Sequence, residues 1–171
     1  DFPLPAGSTV DRARHIDQLA QELAAVEPAA LLVGSSPSAE LFARGEAEWE
    51  RLRGLMIAEQ EELDWQVYHL YGFTDTDLSL PVGEVPGIAL GERAFEIALA
   101  RRVQAGEAET AWFERHRSTP VTEIPAHLPA AYHDAVQRRL DLIAEDRSLE
   151  LLERPEYKRR WSSVPWADRV R

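Results

Sequence analysis

Between Ser38 and Tyr71 the chain runs without a proline, and Leu52, Met56, Leu63, Val67 and Leu70 recur at steps of three, four or seven residues. That period lays one apolar stripe along a helix. Trp65, Tyr68 and Tyr71 widen the stripe over the last two turns, and only Gly45 and Gly54 interrupt the run. Gly72 follows where a left-handed cap commonly ends a helix. At about 1.5 Å per residue such a helix spans roughly 50 Å, more than the width of a small domain, so other helices must lean on it.

Upstream, Phe2-Pro3-Leu4-Pro5 is not helical, because each proline restricts itself and the residue before it. Ser8 or Thr9 caps a first helix with Asp11 in its first turn and Ala13, Ile16, Ala20 and Leu23 inward. Pro28 ends that helix or restarts it, and residues 34–38 form a turn that caps the long helix. Downstream, Pro81, Gly83, Pro86 and Gly87 mark an irregular connector. Helical patterning returns over 91–103, and a short helix over 109–116 buries Trp112 and Phe113. Two prolines hold 118–125 extended. A further helix over 129–146 turns Tyr132, Val136, Leu140 and Ile143 inward, and a short apolar element (149–152) and a helical turn (156–160) follow.

The expected fold is mainly α: an irregular helical bundle around one long helix, with extended proline-rich connectors. We expect a single helical domain over 1–171. Its parts are an opening helix and turn (1–37), the central helix (38–73), a connector (74–90), a helical subregion (91–161) and a loosely ordered tail (162–171). The only methionine is Met56, so the chain reads as a piece of a larger protein.

Composition narrows the class. With 44% hydrophobic and 29% charged residues, the chain can build a core and is not of disordered type. No apolar run is long enough to cross a bilayer, and no secretory signal pattern opens the chain. The lack of cysteine excludes disulfides and thiolate metal sites and fits a cytoplasmic location. The net charge of −11 is uneven: residues 1–137 carry ten Arg against twenty-three Asp or Glu, whereas 138–171 carry nine Arg or Lys against seven. An acidic chain is a poor stand-alone DNA binder, because phosphate neutralisation supplies most non-specific affinity. Its densest basic set, Arg138, Arg139, Arg154, Lys158, Arg159 and Arg160, is the candidate DNA-facing or partner-facing surface. The alternative for that set is a solvated face offset by Asp141, Glu145, Glu153 and Glu156.

Catalytic patterns are sparse. Asp75-x-Asp77 has the residues for a hard cation, although acidic residues opening a helical turn are commoner. No histidine pair has metal-ligand spacing. There is no nucleophile elbow, P-loop or Gly-x-Gly cradle. Glu156-Tyr157-Lys158, with Asp141 or Asp146 upstream, is half of a magnesium-dependent nuclease site, which requires neighbouring strands that the flanking helical pattern does not supply. An independent metal-dependent nuclease using Glu156 and Lys158 is therefore one alternative function, and a pure protein-interaction module another.

Five strings occur in order: 3–13 (PLPAGSTVDRA), 61–72 (EELDWQVYHLYG), 90–101 (LGERAFEIALAR), 111–116 (AWFERH) and 152–161 (LERPEYKRRW). Together they resemble the C-terminal helical region of the PglX family, the large adenine-specific DNA methyltransferases of phage growth limitation and bacteriophage exclusion (BREX) systems. The string Leu-Asp…Tyr-x-Leu-Tyr-Gly also resembles related fused restriction–methylation enzymes. Arg117 stands where the resemblance leads one to expect Gly, and Phe73 where Leu is usual.

The resemblance implies a context and no catalytic residue. Enzymes of this kind hold the target amine with an Asn/Asp-Pro-Pro-aromatic motif and S-adenosylmethionine with a glycine-containing loop, and this chain contains neither Pro-Pro nor Gly-x-Gly. S-adenosylmethionine is thus expected in the parent protein, with no catalytic, cofactor or metal residue here. The implied role is a non-catalytic helical domain that braces the DNA-binding clamp or docks a partner. Its partners would be the rest of the parent methyltransferase, DNA through that parent, or other phage-defence proteins. The opening Pro3-Leu4-Pro5 and capped helix are similar to the exit from a recognition domain into a helical spacer in restriction-specificity subunits.

Overall fold

The computed structural model describes residues 7–161 and 164–170. The expected extended run Phe2–Pro5 lies outside these residues, as do 162, 163 and 171 of the tail. Helices α1 (Val10–Ala25), α2 (Pro28–Leu31), α3 (Ala39–Leu70), α4 (Ala94–Gln104), α5 (Trp112–His116), α6 (Ala130–Glu145), α7 (Arg147–Leu152) and α8 (Trp166–Val170) follow in order, with a 3₁₀ turn at Pro155–Tyr157. Among the described residues there is no strand, and the fold is the expected helical bundle around one long helix. No described helix is long and apolar enough to cross a membrane.

The ends of α3 follow local chemistry. The Ser38 hydroxyl accepts from the Leu41 N–H at 3.1 Å, satisfying a donor that the first turn leaves open. At the other end Gly72 is left-handed (φ 73°), and Phe73 N–H donates back to the Tyr68 carbonyl at 2.9 Å. Mid-helix, Gly54 has a packing reason. The connector backbone crosses the helix there, Ile88 N–H donating to the Gly54 carbonyl at 3.2 Å, and a Cβ on Gly54 would stand 3.3 Å from the Ile88 carbonyl oxygen. Helix α1 packs along the first half of α3 through Leu19, Leu52 and Met56. The second half enters the main core with α4, α6 and the connector: Ile57, Trp65, Ile88, Ile97, Tyr132, Val136 and Leu149 are almost wholly buried.

The deepest face of α3 differs from the predicted stripe. Leu63, Val67 and Leu70 are only half-buried and Tyr71 is exposed, whereas Glu59, Glu61 and Glu62 are buried. In α1, Ala13 is exposed and Arg12 is buried. The physical reason is the same in both helices: each buried charge meets a partner from a distant element, so the interior face is chosen by ion pairs as well as by apolar side chains. In α6 the inward set Tyr132, Val136, Leu140 and Ile143 is as expected, with Arg139 added to it. The segment expected to be a loose tail carries α8, whose Trp166 is buried with its ring centroid 6.1 Å from that of Trp49.

Candidate nucleic-acid interface

Three glutamates within about one turn of α3 fasten the rest of the chain. Glu59 takes the Arg12 guanidinium of α1 and the Gly83 N–H of the connector (2.8 Å). Glu62 accepts from the Leu80 N–H (2.7 Å) and from Arg139 of α6 (2.7 Å). Glu61 accepts from the Ala94 N–H at the start of α4 (2.6 Å) and from the Tyr132 hydroxyl (3.2 Å). Burial pushes Glu61 up to about 7, against the opposing pull of Arg139. Burial likewise raises Glu62. Removing carboxylates from water is costly, and here each one is compensated by directed donors from another element.

This network decides the fate of the six candidate basic residues. Arg139 is fully buried, its guanidinium bonded to Glu62 and to the Leu78 carbonyl (2.8 Å) and lying over the rings of Trp65 and Tyr132. Burial opposes its charge, but Glu62 and Glu61 outweigh that and raise its pKa. Lys158 is buried as well: its ammonium donates to Glu153, to the Tyr68 hydroxyl (2.8 Å) and to Asp64 (3.0 Å). Burial works against that ammonium too, but Glu153 and Asp64 prevail and lift it above the ordinary lysine range. Arg139 and Lys158 are therefore internal ion-pair partners, buried within the chain where the candidate set expects surface residues. Arg138, Arg154, Arg159 and Arg160 are exposed.

Arg159 and Arg160 sit on a short strap held at both ends. Lys158 anchors one end, and Trp161, half-buried, packs against both the main core and the α1–α3 contact at the other. Arg93 Nη1 donates to the Arg159 carbonyl at 3.1 Å, while Arg93 itself is clamped by Glu96 (2.8 and 2.9 Å). The Arg159 guanidinium lies 4.6 Å from the Trp161 ring centroid and bonds Gln60 at 3.2 Å. Nearby, burial and the charges of Arg93 and Arg160 hold His116 below its ordinary range, against a hydrogen bond with the Trp161 backbone.

Other basic residues gather where no local pattern marks them. Arg53 and Arg169 lie over the Trp49 ring, 5.4 and 4.7 Å from its centroid. Burial and the neighbouring Arg169 and Arg93 lower the pKa of Arg53. Arg117, between Trp112–His116 and the extended stretch, adopts left-handed φ (48°), the conformation that suits the glycine expected there. Arg53 and Arg169 are far apart in the chain, so no local window joins them.

The nuclease geometry is not formed. Glu156 is exposed on the 3₁₀ turn, Lys158 points inward, Asp141 accepts from Gln137 (2.7 Å), and Asp146 caps α7 through Ser148 and Leu149 N–H. Asp77 Oδ1 accepts from the Ser79 N–H and hydroxyl (2.8 and 2.6 Å), the hydrogen bonds of a turn. Among the described residues no three His, Asp or Glu side chains come together to hold a metal ion.

A family model covers the second half of α3 and everything after it. The chain belongs to the family described as a domain of unknown function, DUF7008, whose model matches residues 56–171. It is homologous to a segment of the adenine-specific methyltransferase PglX of Streptomyces coelicolor (strain ATCC BAA-471 / A3(2) / M145), with 49% identity over 170 residues. That alignment covers 97% of this chain and 14% of the relative, so the chain spans about one seventh of the relative's length. No solved structure matches.

Proposed function

We propose that this chain is a non-catalytic helical brace within a longer adenine-specific DNA methyltransferase of a phage-defence (BREX-type) system. It lies after the catalytic and target-recognition parts, and S-adenosylmethionine is bound elsewhere in that enzyme, in the cytoplasm. The observation that carries the reading is the strap: two adjacent exposed arginines fixed between a buried lysine and a packed tryptophan. Side chains presented from a rigid backbone lose little entropy when they meet a ligand, and arginines so placed suit phosphate oxygens. Contacts of this kind add affinity and orientation without reading sequence.

The test uses the intact methyltransferase carrying Arg159→Ala with Arg160→Ala. Binding to all DNA sequences weakens alike, and the slope of log affinity against log salt falls by about 0.9 for each phosphate no longer neutralised. Wild-type affinity and slope in the double variant would leave the domain as a protein-docking brace that does not touch DNA.

A further inference from the structure

The strap meets a distant segment at its far end. His116, the last residue of α5, is hydrogen-bonded to the Trp161 backbone, which fastens α5 to the strap. Arg117 follows one partner of that bond and Arg160 precedes the other, and both are exposed. Among the described residues neither guanidinium has a hydrogen bond or an ion pair. The charge at this junction is positive, although the chain carries −11 in all. Arg93 and Arg169 are offset by Glu96 and Glu27. Glu46 and Glu50 of α3 share a cleft of about 460 Å³ with Arg53 and Arg117, so the cleft by itself is balanced and favours no anion. Around the junction as a whole, Arg53, Arg115, Arg117, Arg159 and Arg160 outnumber Glu46, Glu50 and Glu114. The low pKa of His116, set by burial and then by Arg93 and Arg160, agrees with that surplus.

The backbone adds a second observation. Among the described residues Arg117 alone of the non-glycine residues has positive φ (48°). The turn itself serves α5: Ser118 N–H donates to the Phe113 carbonyl at 3.0 Å across a left-handed cap. Such a cap requires a left-handed residue, and glycine meets it without strain. It gives no reason for an arginine, and no contact within the described chain supplies one. Strained residues of this kind cluster at ligand clamps. We infer that Arg117 and Arg160 grip one stretch of phosphodiester backbone across the His116–Trp161 junction, Arg117 adding a second prong to the strap. A guanidinium presents its donors in a planar fork that matches phosphate oxygens. The inference rests on the reading of the strap as a DNA contact, and extends it to a residue from another segment that no local basic run marks.

The experiment measures duplex DNA binding over a salt series with the intact methyltransferase and three variants: Arg117→Gly, Arg117→Lys, and Arg159→Ala with Arg160→Ala. Arg117→Gly relieves the strained φ and so keeps the fold. It is expected to weaken binding to every duplex sequence by about fivefold at 0.1 M salt and to flatten the salt slope by about 0.9. Arg117→Lys keeps the charge and should keep the slope. A wild-type slope in Arg117→Gly overturns the inference. If the strap variant then has a flatter slope, the DNA-bracing reading stands and Arg117 alone is excluded; wild-type slopes in both remove the two together. A flatter slope in Arg117→Gly beside an unchanged strap variant contradicts a shared grip. Displacement of the duplex by sodium phosphate at matched ionic strength would make this a site for free phosphate, and overturns the inference as well.

Discussion

Arg139 Nη2 donates to Glu62 Oε1 at 2.7 Å, and neither side chain is exposed to solvent. The pair joins α6 to α3 across the centre of the core, with Trp65 and Tyr132 stacked about the guanidinium. Removing one partner strands the other charge. Arg139→Met is therefore expected to cost about 3–5 kcal/mol in urea unfolding, and the double change Arg139→Met with Glu62→Leu to recover part of that loss. A double variant less stable than the single one would show that the pair contributes more than it costs to bury.

Glu61 makes stability depend on pH. Burial holds its carboxyl up to about 7 in the folded chain, above the ordinary 4.5 expected when unfolded. Between these values only the folded state keeps the proton, so this group's contribution is full below about 4.5 and is lost as pH rises through about 7. Glu61→Gln lacks that loss. Relative to wild type, the variant should gain on the order of 2 kcal/mol between about pH 5 and pH 8, measured by denaturant unfolding at both. A difference that stays flat over that range contradicts the assignment.

Arg117 occupies left-handed φ (48°), where an L side chain is strained. Glycine relieves a strain of roughly 1–2 kcal/mol but has more freedom to lose on folding. Arg117→Gly is expected to stabilise the chain by about 0.5–1 kcal/mol, read as a raised melting temperature. Arg117→Ala keeps the strain and should not stabilise.

Ile57 is 1% exposed, whereas Leu63 on the same helix is half-buried. Ile57→Ala should cost about 2–5 kcal/mol through reduced burial and a residual cavity. Leu63→Ala should cost clearly less, because part of its surface already meets water. Equal costs would place Leu63 as deep as Ile57.

Much of this architecture is legible in the amino-acid sequence because helices are local objects. The 3.6-residue period marks α3 and α6, the Ser38 side chain starts α3 within three residues, and Gly72 ends it. The interior position of Tyr132, Val136, Leu140 and Ile143 follows from the same period. The five strings that link the chain to PglX are likewise a property of the sequence, and the homology over 97% of the chain agrees with them.

Tertiary structure alone decided which charges go inside. Glu59, Glu61 and Glu62, like Arg12, Arg139 and Lys158, have the composition of a solvated face when read along one helix. Their burial depends on donors from other elements: Arg12 for Glu59, Ala94 and Tyr132 for Glu61, Arg139 for Glu62, Asp64 for Lys158. A charge enters a core only when such a partner arrives with the right geometry, and that geometry exists only once distant segments have met. The same condition separates Arg159 and Arg160, held out on a strap, from Lys158, drawn in beside them. Adjacent residues of like charge carry opposite roles because the packing behind them differs.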